Sequence, residues 1–298
     1  MYRNKIQLNF LTVIFLLITG IGCQTPRYMY SPSAQNVPLL TQKGDSKLSL
    51  TYATNFANKI EVWKGENSRA NGFDIQSAIA ISNHWAMQAN YYYRSEQNGR
   101  KNINEEAVLI RYNRKMLEIA GGYFSPFNNN KATLFQVFAG IGKGNFSFND
   151  IKNDSGSIQL INSHRTDVVK YWVQPAFIQQ SSPQFSFSVT SRFSFINYTN
   201  IKSNYTNEQL RTYKLDKLHK GIFVFWEPEL HKGIFVFWEP AMSINFAVKK
   251  MPHVKAELQA GISQLIDNYF IDSRFFNLSI GLQADLVNIL KAKSRKKE

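Results

Sequence analysis

The chain is poor in the residues that most often build chemistry. It holds one cysteine in 298 residues, Cys23, which excludes an intramolecular disulfide and any cysteine-clustered metal centre. Five histidines are present. His84 reads as part of a turn, His164 as part of a loop, His253 lies beside Met251-Pro252, and His219 and His231 are one residue repeated. No two stand at metal-ligand spacing with a carboxylate, so no metal site is expected. Gly-x-Ser-x-Gly, a Walker loop and a Gly-x-Gly-x-x-Gly that opens a helix are all missing. No cofactor and no catalytic set is expected from these absences, although a His–Ser pairing stays open because serine is common. The only long apolar run is Phe10–Ile21, too short to span a membrane as a helix.

Acidic residues are outnumbered, 21 against 35 basic ones, for a net charge of +14. That balance suits a basic surface or an anionic lipid partner. No basic run interleaved with stacking aromatics is present, so nucleic acid is not an expected partner.

What the chain does have is aromatic residues, 14% of it, 23 of them Phe. The clearest stretch is Phe185–Phe195, F-S-F-S-V-T-S-R-F-S-F. Phe185, Phe187, Val189, Phe193 and Phe195 share one face; Ser186, Ser188, Thr190, Arg192 and Ser194 share the other. Period two over about eleven residues is a strand with one apolar face, and a tilted strand of that length crosses the hydrocarbon layer.

The N-terminus carries Arg3 and Lys5, then the short apolar run, then Gly20-Ile21-Gly22 before Cys23. This order predicts a signal peptide over 1–22, with Cys23 acylated to an N-acyl diglyceride cysteine bearing palmitate. Gly20 stands where Leu is usual at such sites. A plain signal peptide cut nearby is the alternative. Removing 1–22 leaves a charge of +12, since only Arg3 and Lys5 are lost. Residues 23–45, with Pro26, Pro32 and Pro38 among Ser, Gln and Asn, read as an extended tether.

Alternation then recurs over 46–55, 72–82, 85–94, 105–124, 134–148, 167–179, 185–195, 242–250, 254–265 and 276–286. If 105–124 is one strand, long and short connections alternate, the rhythm of outer-membrane barrels. The expected fold is all-β: a single up-and-down antiparallel transmembrane barrel over 46–288. About ten strands are expected, or twelve if Arg114-Lys115 is a turn and one further strand is present. A basic periplasmic tail would occupy 289–298. L-H-K-G-I-F-V-F-W-E-P occurs twice, at 218–228 and 230–240, a tandem duplication whose even shift preserves strand facing. The second copy runs into a strand. The first would form a loop or hairpin above the barrel, with Phe223, Phe225 and Trp226 as an adhesive patch.

Whether the apolar faces meet lipid or a dry core is decided by the polar faces, which are mainly Ser, Asn, Gln, Gly and Ala. Small polar groups suit the bore of a narrow barrel, and closure is then obligatory. Asp74, Glu118, Arg192, Lys255 and Glu257 would point inward and plug the lumen with ion pairs, Arg192 meeting Glu118 or Glu257. Pro175 and Pro240 are expected at strand ends or bulges.

Tyr30–Leu40 (Y-S-P-S-A-Q-N-V-P-L-L), V-Q-P-A-F at Val173–Phe177 and W-E-P-A at Trp238–Ala241 together resemble a group of small outer-membrane β-barrel lipoproteins of Bacteroidetes-type bacteria. The resemblance implies a fold and a location, not a reaction. Surface-exported lipoproteins of that kind carry acidic residues after the cysteine. Gln24-Thr25-Pro26-Arg27 has none, so the lipid and both termini are expected on the periplasmic side. Three functions fit. The first is a lipid-anchored structural or binding barrel whose basic loops meet anionic surface glycolipid or a protein. The second is a small-solute channel. The third is a rim-active hydrolase using His164; no Asp-x-Asp or Asp-x-His of the omptin type is present.

Overall fold

A computed structural model describes residues 27–56, 69–100, 108–127, 132–154, 157–219, 234–247, 251, 253–266, 271–287 and 289. The chain winds through β1 (Ser46–Phe56), β2 (Arg69–Ala80), β3 (Trp85–Arg100), β4 (Val108–Pro126), β5 (Thr133–Asp154), β6 (Ser157–Ser182) and β7 (Phe185–Ser203). A short helix α1 (Asn207–Thr212) follows, then β8 (Ile234–Ala247), β9 (Val254–Ile262), β10 (Gln264–Leu265) and β11 (Phe276–Ala284). Each strand is antiparallel to its neighbours, β8 pairs with β9, β9 with β11, and β11 returns to β1. The sheet is therefore a closed cylinder.

β9 and β10 are one wall strand in a single register against β8, so the wall has ten strands. The gap between them falls opposite Pro240, which has no N–H to give. Pro175 does the same on the other side of β7: it pairs with Val137 of β5, while the ladder to β7 skips from Val173 to Ala176. Both prolines lie well inside their strands, contrary to the expectation of ends or bulges. A closed wall tolerates them because each costs a bond to one neighbour only.

Alternation sets the facing. Ile119, Ile280 and Leu282 point outward and are about three-fifths exposed, while Ser186, Glu257 and Ser279 point inward and are buried. These outward side chains form an apolar belt around the wall. On β4 it runs from Leu117 to Tyr123, with Lys115 immediately above on the same face. Trp85, Tyr123, Phe135, Phe177 and Phe185 gird the short-turn end, Phe135 lying 5.0 Å from Phe177 between ring centres.

Residues 108–126 form one strand, with Arg114 and Lys115 in its middle. The strands next to it are longer than alternation suggested. β5 has 22 residues and β6 has 26, and only about ten are needed to cross the bilayer. Their upper halves stand above the belt, where the outward face meets water and apolar alternation fades. That is why the sequence between the alternating stretches 134–148 and 167–179 shows no such pattern and His164 reads as part of a loop. Likewise β7 continues to Ser203 before the capped helix α1, where 197–220 read as loop. In the first repeat copy, Leu218 is buried in the aromatic cluster at the long-loop end; in the second, Phe235 and Phe237 point inward from β8. Phe223, Phe225, Trp226, Cys23, the signal segment and residues 290–298 lie outside the described residues.

If the belt faces lipid, Ile119→Arg should cost about 2–4 kcal/mol in urea unfolding from phospholipid vesicles. Leu160→Arg, near the top of β6 and equally exposed, should cost under about 1 kcal/mol; equal losses would contradict the placement of the belt.

Candidate functional site: the occupied lumen

The bore is filled by the chain's own lead segment. Residues 27–41 are extended, without regular structure of their own, and most of their side chains are buried. The stretch read as a tether between lipid and barrel therefore runs through the barrel instead. It enters among the long connections and ends at the short turns, where Gly44 N–H donates to Ala80 O (2.9 Å) and Lys43 N–H to Asn83 Oδ1 (3.0 Å).

The inner wall has three tiers, and the segment's sequence matches them in order. The upper tier is aromatic, built from Tyr112, Phe146, Phe148, Tyr198, Phe235 and Phe237, and receives Tyr28-Met29-Tyr30. Tyr30 stacks on Phe237 at 4.2 Å. The middle tier is polar and receives Ser31–Asn36. The lower tier packs Leu40 against Phe124, Phe138 and Trp172, and Val37 against Leu134 and Ile178. Gly140 leaves the space Trp172 uses, since a Cβ there would meet its ring at 2.7 Å.

A peptide in a bore cannot join the surrounding ladder, because every wall strand already pairs on both sides. Side chains therefore bind most of its backbone, the exception being Met29 and Tyr30, which bond to the backbone of Asp272 and Arg274 in the connection ahead of β11. Arg114 donates to the carbonyls of Tyr28 (2.5 Å) and Met29 (2.7 Å). Asn55 reaches Pro32 O at 2.7 Å and Asn277 reaches it at 3.3 Å. Asp74 accepts from Ala34 N–H (3.0 Å), and Gln76 donates to Ala34 O (2.8 Å). Gln259 grips Gln35 at both ends, accepting its N–H at 2.6 Å and donating to its carbonyl at 2.9 Å. Gln174 donates to Asn36 O (2.9 Å), and Asn36 donates to Asn90 (2.8 Å). Tyr30 OH donates to Glu239 (2.8 Å), Thr190 contacts the Gln35 side chain, and Arg27 pairs with Asp150 at 2.7 Å. All ten wall strands contribute a contact.

Charges in the bore are paired mainly with close neighbours. Asp74 binds Arg94, with Nη2 at 2.8 Å from Oδ2; Lys170 meets Glu118 at 3.1 Å; Lys47 meets Glu257 at 2.9 Å. Glu96 accepts from Arg114 (3.1 Å) and Arg274 (2.7 Å). Arg192 does not reach Glu118 or Glu257. Its guanidinium donates twice to Gln174 Oε1, at 2.8 and 2.9 Å, and once to Ser33, and it lies over the Trp172 ring. Period two gives a side chain's facing but not its height or angle round the bore, and Glu118 and Glu257 are already taken by lysines. Lys255 sits only partly buried at the short-turn mouth, lining a cavity of about 290 Å³ with Asp45, Lys47 and Asp285. At the opposite mouth, burial pushes the Tyr205 hydroxyl well above the ordinary tyrosine range, and it accepts from Arg27 at 3.4 Å. Burial also raises the Asp272 carboxyl.

The residues that grip the segment were not among those singled out from sequence, apart from Asp74 and Arg192. The signal that could have found them is the inward row of Gln and Asn, an excess of amides where a water-filled bore would need none. Among the described residues no group of His, Cys, Asp and Glu could hold a metal ion.

No family model matches the chain, and no curated relative matches it. Several solved outer-membrane proteins align over most of the chain. The outer membrane protein OprG from Pseudomonas aeruginosa aligns at 10% identity and TM-score 0.36, covering 83% of this chain and 98% of that one. The outer membrane protease OmpT from Escherichia coli aligns at 10% identity and TM-score 0.40, covering 81% and 95%. The translocator domain of autotransporter NalP from Neisseria meningitidis aligns at 7% identity and TM-score 0.42, covering 81% and 88%.

Arg94→Leu strands Asp74 in a buried site and should cost about 3–5 kcal/mol in urea unfolding; adding Asp74→Leu should restore most of it. A double variant as unstable as the single would show that the pair is not what the wall depends on there.

Proposed function

We propose that the protein is a sealed outer-membrane barrel of the lipoprotein group it resembles, with a structural or binding role rather than a transport one. Acylation at Cys23 anchors it, and the short turns face the periplasm. The observation that carries this is the segment 27–41, which occupies the bore from one mouth to the other and is bound by every wall strand. A channel needs a continuous water path, and both end tiers here are closed by packed apolar side chains. A hydrolase is not favoured either: His164 is buried beside Phe148, ring centres 4.9 Å apart.

The binding role has a specific surface. Arg111, Lys115, Lys143 and Arg165 project outward from adjacent strands β4, β5 and β6, at and just above the upper edge of the belt. Phosphate groups of an anionic surface glycolipid would stand at that height, and each basic side chain near a charged membrane contributes about 1 kcal/mol. The wall, rather than the loops, is the site this reading selects.

In planar bilayers the purified full-length protein should pass no large steady current, while a variant lacking residues 27–40, checked for folding by heat-modifiable gel mobility, should conduct. Steady single-channel currents from the unaltered protein would refute the sealed reading. Replacing Arg111, Lys115, Lys143 and Arg165 by Gln should weaken binding to phosphorylated glycolipid vesicles roughly tenfold or more and leave binding to uncharged vesicles unchanged. Unaltered binding to both would remove the glycolipid.

A further inference from the structure

The segment in the bore has a direction, and that direction bears on where the N-terminus lies. Its first described residue, Arg27, is at the long-loop mouth. There it pairs with Asp150 of β5 and lies 4.0 Å from the Tyr213 ring just after α1. Met29 and Tyr30 are bound to the connection between β10 and β11, Met29 N–H donating to Asp272 O (2.7 Å) and Tyr30 O accepting from Arg274 N–H (2.9 Å). The other end of the segment meets Ala80 and Asn83 at the short turns.

The heights of the two ends can be compared on β4. Asp150 stands opposite Ile110, and Ala80 is level with Gly122 by way of Ala86. Twelve residues of strand separate those levels, ~40 Å along the wall. Cys23 precedes Arg27 by four residues, and four residues at full extension reach about 14 Å. No path that short leads from Arg27 to the short-turn mouth.

We infer that the chain ahead of Arg27 leaves the barrel through the long-loop mouth, so that an acyl group on Cys23 inserts in the leaflet on the long-loop side. The lipid part of this rests on the acylation proposed above; the exit face rests on the threading alone. It reverses the side expected from the missing acidic residues after Cys23. The lead segment is then captive, tied to lipid at one mouth and continuous with β1 at the other. Withdrawing it would draw acyl chains through the polar middle tier.

Three variants that each add one cysteine to the full-length protein with Cys23 retained test the exit face, with the unaltered protein labelled alongside to subtract any reaction at Cys23 itself: Thr25→Cys, Lys43→Cys and Glu208→Cys. Lys43 is exposed at the short-turn end and Glu208 is exposed in α1 at the long-loop end. Each is treated in intact cells and in opened membranes with a maleimide carried on a large polyethylene glycol. Thr25→Cys should follow Glu208→Cys and differ from Lys43→Cys in which preparation it reacts. If Thr25→Cys follows Lys43→Cys, or reacts only once the barrel is unfolded, the inference is overturned. Acylation is read separately, by incorporation of an alkyne-tagged fatty acid that Cys23→Ser abolishes. Its absence would remove the anchor and leave the labelling result to decide the exit face.

Discussion

A closed barrel leaves no free strand edge, and the whole interior follows from that constraint. The backbone N–H and C=O groups of residues 27–41 must be satisfied, yet no wall strand has a partner to spare. An unpaired buried amide costs about 1–3 kcal/mol, and a dozen of them would exceed the stability of an ordinary domain. The wall answers with side chains long enough to bridge to a peptide that is not its neighbour in the sheet. Amides serve best because one group both donates and accepts, as Gln259 does on both sides of Gln35. The segment lightens the demand with Pro32 and Pro38, which carry no N–H and favour an extended chain.

The same constraint explains why the bore is not uniformly polar. Side chains of the segment need packing as well as hydrogen bonds, and Tyr28, Met29, Tyr30, Val37 and Leu40 are too apolar to lie against amides alone. Inward aromatics at one end and inward Leu, Ile and Phe at the other give this cylinder two small dry cores. The outer belt still decides where the protein sits, since it has lipid and no protein to cover it. Inside, charges are confined to compact pairs such as Lys170–Glu118 and Lys47–Glu257. Such pairs need little room, and the segment passes between them.

Strand facing was legible in the sequence because alternation is local. Phe185–Phe195 shows its outward and inward rows directly, and Val254–Leu265 reads as one strand although Pro240 divides its ladder. The tops of β5 and β6 were not legible, because above the bilayer the pattern that lipid imposes is no longer required. The lumen was half legible. Asp74, Glu118 and Glu257 could be placed inside, but their partners could not, since pairing across a cylinder depends on shear and on what already fills the centre. The lead segment was the real miss. Proline with Ser, Gln and Asn has no period, and a chain without period reads as solvent-exposed. Its three-part pattern, Y-M-Y, then S-P-S-A-Q-N, then V-P-L-L, acquires meaning only against the tiers of a wall made from residues far along the chain.

The seam between β1 and β11 bears on how such a structure can form. Leu48 pairs there with Ala284, a contact between the two ends of the wall. Loop-closure entropy makes contacts of that separation among the last to be favourable. The other neighbours are consecutive in the chain, joined by connections that range from short turns to residues 204–233, so loop-closure entropy favours a curved open sheet ahead of the cylinder. Gln76, Asn90, Gln174 and Thr190 all lie within that open sheet, and they already hold Ala34, Gln35 and Asn36. Asn55, Gln259 and Asn277, close to the seam, complete the grip when it shuts. A sheet that curls around its own lead segment needs no threading step, whereas passing that segment through a finished bore would need one. The amide row therefore serves twice: it satisfies the peptide in the finished barrel, and it gives the open sheet something to close upon.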